Sequence, residues 1–198
     1  MIKKEKLLII GAGGHAKSCI DVIEKENRFE IIGIVDDNPE LLNTSILGYT
    51  VIGTDSNLEE IFTYCTHAFI GVGQIKTPNI RKKIYTRLKD IGFTLPSIIS
   101  PLAYVSKHAI LGESNIIMHH AIVNACATIG DNNIINTKAL VEHDVIVDNH
   151  CHLSTASILN GGVHIKSGTF FGSGAVSKEY VSSNENDFIK ANSLFLGR

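Results

Sequence analysis

From Val105 onward an aliphatic or aromatic residue recurs every six positions, twelve times without a break: Val105, Leu111, Ile117, Val123, and on in the same phase to Ile165 and Phe171. A six-residue period matches neither the two-residue alternation of an ordinary strand nor the 3.6-residue turn of a helix. It is the signature of a parallel β-helix, a solenoid in which every hexad contributes a short strand and a corner.

Four residues after each large apolar residue stands a mostly small one, among them Ala109, Ala121, Ala127, Ala139, Cys151 and Ala175. Residues of opposite size, two apart along a strand and both facing inward, fill a narrow prism. The position right after each large residue is rich in turn-formers: Gly112, Asn124, Gly130, Asn136, Asp148, Asn160, Gly172. These types accept tight or left-handed backbone, so the corner is expected there. Ser177 and Ser183 break the apolar register before Ile189 and Phe195 resume it, which predicts an irregular final coil.

The first hundred residues follow another rule. Leu7–Ile10 reads as a buried strand, Gly11–Gly14 as the turn after it, and 15–25 as a helix with Ala16, Cys19, Ile20 and Ile23 on one face. Further strands are expected at 29–35, 67–72 and 93–95, with helices at 56–64 and 79–89. Strands alternating with helices predict a parallel sheet covered on both faces. The pattern changes between Pro96 and Pro101, giving a Rossmann-like α/β domain over 1–97 and a β-helix over 98–198.

Gly11-x-Gly13-x-x-Ala16 follows a strand and opens a helix, and Asp36-Asp37 end the next strand. Glycines allow the backbone to approach a phosphate, and the helix N-terminus adds N–H donors and a positive dipole. About four strands leave no second half to hold a nicotinamide, so the reading favours a sugar nucleotide, with its pyrophosphate on the loop, over NAD. Gly13, Gly14, Asp36 and Asp37 are expected to bind the sugar nucleotide. His15 either faces the ligand or is a solvated residue at a helix start. Gly73, in Gly71-Val72-Gly73-Gln74, either touches the sugar nucleotide or belongs to a plain turn.

Composition narrows the function classes. A net charge of −2, without a long basic run, offers little to nucleic acid. Met1–Leu7 leads into only a short apolar run ending at Gly11, too short for a signal peptide or a membrane span, which predicts a cytoplasmic protein. Cys19, Cys65, Cys126 and Cys151 lack paired spacing and read as reduced thiols; Cys126 and Cys151 are expected to pack inside the solenoid. Neither a Cys-x-x-Cys nor a His-Glu-x-x-His frame occurs, so no metal is expected.

A short Rossmann-like domain opening with Gly11-Ala12-Gly13-Gly14-His15, followed by hexads carrying Val141-Glu142-His143-Asp144, resembles the sialic acid O-acetyltransferase family of hexapeptide-repeat acyltransferases. Within it, the bacterial N-acetyltransferases of nucleotide-linked 4-amino-4,6-dideoxy sugars are most similar. The resemblance implies a left-handed β-helix, a homotrimer with active sites between subunits, and acetyl-CoA as donor. It implies that His143 is the base and Asp144 the acid that orients it. It places His152 near the acetyl group, Gly161, Gly172 and Gly174 along the pantetheine arm, and Gly13, His15 and Asp36 on the sugar nucleotide.

The chemistry agrees with those roles. A sugar ammonium must lose a proton before it attacks a thioester, and a histidine is the natural acceptor near neutral pH. His143 falls two residues after the inward Val141, so it should point outward at a corner. An oxyanion donor is also needed, a backbone N–H or His152. Two other functions share these features: O-acetylation of sialic acid or another nonulosonic acid, and a non-catalytic sugar-nucleotide sensor. The intact Glu142-His143-Asp144 stretch argues against the sensor.

Overall fold

The computed structural model of the protein describes residues 4–198; Met1–Lys3, part of the start read as too short for a signal peptide, lie outside the described residues. The chain forms two compact units: one runs to Gly73 and resumes over Ile80–Pro96, the other comprises Gln74–Asn79 and Ser97–Arg198.

The first unit is built on a five-stranded sheet. Its elements are β1 (Glu5–Ile10), α1 (Gly14–Glu26), β2 (Phe29–Val35), β3 (Ser45–Ile46), β4 (Tyr49–Gly53), α2 (Leu58–Phe62), β5 (Ala68–Ile70) and α3 (Asn79–Ile91). The order is β3-β4-β2-β1-β5, parallel except for the β3–β4 hairpin. Leu7–Ile10 are buried because both sheet faces are covered. The sequence reading missed β4. Its burial alternates around Val51, and it lacks the continuous apolar run that marked β1. Around 93–95 there is no strand, only a bridge between His67 and Thr94.

The second unit is a left-handed β-helix. Sixteen two-residue strands, from Ile98–Ile99 to Leu194–Phe195, form three parallel sheets of six, four and six strands. Each strand pairs with the one eighteen residues later, as Ile122 does with Leu140 and Leu140 with Ile158. One coil is therefore three hexads, and the apolar period becomes a column of stacked side chains. Ile117, Val123, Ile129, Val141, Leu153 and Phe171 are all buried in one continuous core.

The corners lie elsewhere than the turn-formers indicate. Positive φ recurs every six residues from Ser114 to Asn192, three positions after each large apolar residue rather than one. Most of these residues are not glycine: His120, Cys126, Lys138, Asp144 and Tyr180 all have φ between 54° and 62°. Left-handed backbone is costly for an L-residue, about 1–2 kcal/mol. It is held here because the corner N–H donates to a carbonyl of the previous coil, as Asp144 does to Ala125 at 3.3 Å and Tyr180 to Gly161 at 3.1 Å. Glycine at the first position has another cause. A Cβ on Gly112 would stand 2.8 Å from the Gly130 carbonyl, and one on Gly172 2.5 Å from the Ala191 nitrogen, so close stacking of coils demands glycine there.

Two further expectations change. Ser177 and Ser183 keep the register: both are buried, and their hydroxyls accept from the backbone N–H of Asn160 and Lys166, so a polar inward side chain is satisfied without breaking the coil. Cys126 does not pack inside. It occupies a left-handed corner and is exposed, whereas Cys151 is buried as expected.

Candidate active site

In the first unit, the turn after β1 is shaped by what surrounds it. Gly11 has φ of +101°, and a Cβ there would meet Val72 at 2.6 Å. Gly13 and Gly14 are different: a Cβ on either would meet nothing within 4 Å. Gly13 is the N-cap of α1 with extended backbone, has no side chain to cap the helix, and no acidic residue stands in the first turn. With no side-chain cap and no acidic residue there, the start of α1 presents the positive end of its dipole, which favours an anion.

Asp36 braces this loop. Its Oδ2 accepts from the Ala12 N–H at 2.7 Å and its Oδ1 from the Asn38 N–H at 2.9 Å. Beside it lies a cavity of about 260 Å³ lined by Gly11, Asp36, Asp37, Asp55 and the apolar Val72, Ile80 and Ile84 among others. Asp55 is held above the usual carboxylate range by burial and by the neighbouring Asp37, against the pull of Arg87. His15 packs against Gly73, where a Cβ would come within 3.3 Å of the His15 Cβ. The first unit therefore brings Gly13, Gly14, His15, Asp36, Asp37 and Gly73 to the carboxyl ends of its strands, the usual ligand-binding edge of such sheets.

In the second unit, His143 and Asp144 stand at a corner, both exposed. The Nδ1–H of His143 donates to Asp144 Oδ2 at 2.8 Å. A carboxylate only accepts, so this contact sets the tautomer and leaves the Nε2 lone pair as a base. The left-handed backbone of Asp144 (φ 61°) turns its carboxylate back toward the preceding ring. Glu142 does separate work: its Oε2 accepts from Asn124 Nδ2 at 2.9 Å and faces the backbone N–H of His143 at 3.3 Å.

Gly161 lies directly under the imidazole. A Cβ at 161 would stand 2.7 Å from His143 Cε1 and 2.9 Å from Nε2. Gly162 donates its N–H to the His143 carbonyl at 3.1 Å. Gly172 and Gly174 are set by the coil above them, against Ala191 and Asn192.

His152 is buried. Its Nδ1 lies 2.5 Å from the Gln74 carbonyl, which can only accept, so Nδ1 carries the proton. Its Nε2 then accepts from Asn136 Nδ2 at 3.1 Å, and the ring meets Phe170 edge-on. In this arrangement both nitrogens are engaged within the protein, and the group oriented by His152 is the Asn136 amide. Sequence reading treated Asn136 as a corner residue; its eighteen-residue relation to Ser154 and Gly172 carried no hint of a histidine partner. Arg81, also unnoticed, is 1% exposed and donates from Nη1 to the carbonyls of Ile70 and Val72.

The comparisons bear on both units. Residues 6–88 match the model of the PglD N-terminal domain. A crystal structure of a histidine-to-asparagine mutant of perosamine N-acetyltransferase from Caulobacter crescentus, in complex with CoA and GDP-perosamine, is 32% identical and superposes with a TM-score of 0.91, covering 100% of this chain and 90% of that one. The chain belongs to the hexapeptide-repeat acyltransferase family. The acetyltransferase domain of PglB from Neisseria gonorrhoeae, in complex with acetyl coenzyme A, is a second member at 29% identity and a TM-score of 0.89, covering 98% of this chain and 92% of that one. An uncharacterized protein of Acanthamoeba polyphaga mimivirus is 32% identical over 113 residues, and the match spans 21% of the length of that curated relative.

Proposed function

We propose that the protein transfers an acetyl group from acetyl-CoA to the amine of a nucleotide-linked 4-amino-4,6-dideoxy sugar, a reaction that serves surface-glycan or O-antigen synthesis. The observation that carries the reading is the His143–Asp144 contact: an exposed imidazole with its Nε2 lone pair free to take a proton, on a chain similar to a perosamine N-acetyltransferase crystallised with CoA and GDP-perosamine.

The diphosphate sits at the uncapped start of α1, on Gly13 and Gly14, with His15, Asp37 and Gly73 around it and Asp36 holding the turn. The neutral sugar amine attacks the thioester carbonyl, and His143 Nε2 takes the proton the nitrogen loses. Asp144 stabilises the resulting imidazolium. The tetrahedral intermediate collapses, the carbon–sulfur bond breaks, and the proton passes to the CoA thiolate. Positioning supplies much of the acceleration, so no acyl-enzyme is needed. The CoA arm runs along the later coils by Gly161, Gly172 and Gly174, with His152 behind Asn136.

A homotrimer with active sites shared between subunits belongs to the same reading. Tyr104, Ile110, Ile122 and Ile146 point outward from two solenoid faces and are exposed, as a lateral apolar contact requires. A cytoplasmic location fits a substrate and donor made there; among the described residues no helix is long and apolar enough to cross a membrane.

The test is release of free CoA from acetyl-CoA with UDP-, dTDP- and GDP-linked 4-amino-4,6-dideoxy sugars, with sialic acid alongside. Turnover on one sugar nucleotide, lost in His143→Ala, is the expected result. Turnover on sialic acid alone would move the protein to O-acetylation, and silence on all acceptors would reject the reading.

A further inference from the structure

We infer that Arg81 is a positioning residue for the sugar-nucleotide site, acting through the Gly71–Gly73 loop; this rests on the reading above. Arg81 lies near the start of α3, with its guanidinium wholly buried. A buried cation is expensive and needs a structural or functional reason. Its Nη1 reaches the carbonyl of Ile70, the last residue of edge strand β5, at 3.0 Å, and that of Val72 at 2.6 Å. It therefore holds the chain at the point where the strand ends and the loop begins.

That loop touches the end of β1, the turn and the start of α1 at three successive residues. Gly71 donates its N–H to the Ile10 carbonyl at 2.8 Å, and a Cβ there would press on Ala16 and Ile9 at 3.2 Å. Val72 stands over Gly11 and lines the cavity next to Asp36. Gly73 lies against His15. Arg81 is also close enough to Cys19 of α1 for its charge to be felt at the thiol. A shift of the loop would move the cavity wall and the seat of His15 together. Arginine suits the task because the two N–H groups of one Nη1 point in fixed directions in the guanidinium plane, one to each carbonyl, whereas a lysine ammonium is a point charge on a flexible stem.

The experiment compares wild type with Arg81→Lys and Arg81→Gln. It reads the KM for each substrate, kcat, thermal unfolding, and amide hydrogen exchange at residues 71–73. The expected result is a roughly tenfold rise in KM for the sugar nucleotide in Arg81→Gln and a smaller rise in Arg81→Lys. KM for acetyl-CoA and kcat stay within about twofold, and exchange at 71–73 is faster. Should the glutamine variant fail to fold, the lysine variant carries the test. Parallel increases in both KM values, or unchanged KM and exchange in a folded variant, overturn the positioning role. A wild type silent on every sugar nucleotide rejects the functional reading instead, and loop exchange alone then decides whether Arg81 holds 71–73.

Discussion

The imidazole of His143 rests on the bare Cα of Gly161, its neighbour on the next coil. A single added methyl at 161 would stand 2.7 Å from the ring. Gly161→Ala is therefore expected to push the ring off its place beside Asp144 and lower kcat by roughly ten- to a hundredfold. The fold should survive, because the ring is exposed and can swing away. Wild-type kcat in this variant would show that the seat is irrelevant.

Removing the partner of the imidazole should cost less than removing the imidazole. His143→Ala eliminates the proposed proton acceptor, with an expected loss of kcat of about 10²–10⁴-fold. Asp144→Asn keeps the side-chain shape but loses the carboxylate that sets the Nδ1–H tautomer at 2.8 Å. Steady-state kinetics should place it between His143→Ala and wild type. A loss larger in Asp144→Asn than in His143→Ala would contradict the assigned roles.

The glycines of the turn separate by purpose. Gly13→Asp places a good N-cap on α1 in open space, so thermal stability should hold or rise, while the new carboxylate repels the diphosphate and raises its KM. Gly11→Ala meets Val72 with φ at +101° and should destabilise the protein by about 2–3 kcal/mol. Calorimetry on the two variants checks both halves; equal melting temperatures would reject the distinction.

Stability should fall on the alkaline side because of Cys19. Burial pushes its thiol up from 9.0 to about 12, the nearby Arg81 opposing, so the folded chain keeps a proton that the unfolded chain releases above pH 9. Between pH 9 and 10 this removes up to about 1.4 kcal/mol per pH unit. Denaturant unfolding of Cys19→Ala should show a shallower decline in that window. An identical slope would remove Cys19 as the cause.

Much of the site was legible because local chemistry wrote it. The turn Gly11–Gly14, the outward corner position of His143 and the adjacent Asp144 all follow from short-range pattern. The partners of His152 were not legible: its Nδ1 meets the carbonyl of Gln74, seventy-eight residues away, a contact no local pattern announces. Arg81 escaped notice because a lone arginine in a helix reads as solvated.

The hexad period alone determined the solenoid, since a repeat of six admits one stacking of strands and places one large residue inward per turn of the pattern. The β1-turn-α1 start was settled in the same way, by the order of residue types along the chain. Tertiary structure decided where the corners fall, because φ at Asp144 or Tyr180 is stabilised by a carbonyl on the preceding coil and not by the residue's own preference. It also decided what each glycine is for. Gly13 leaves space, Gly112 makes way for a coil and Gly161 for the ring of His143, and only the atoms facing a glycine distinguish these uses.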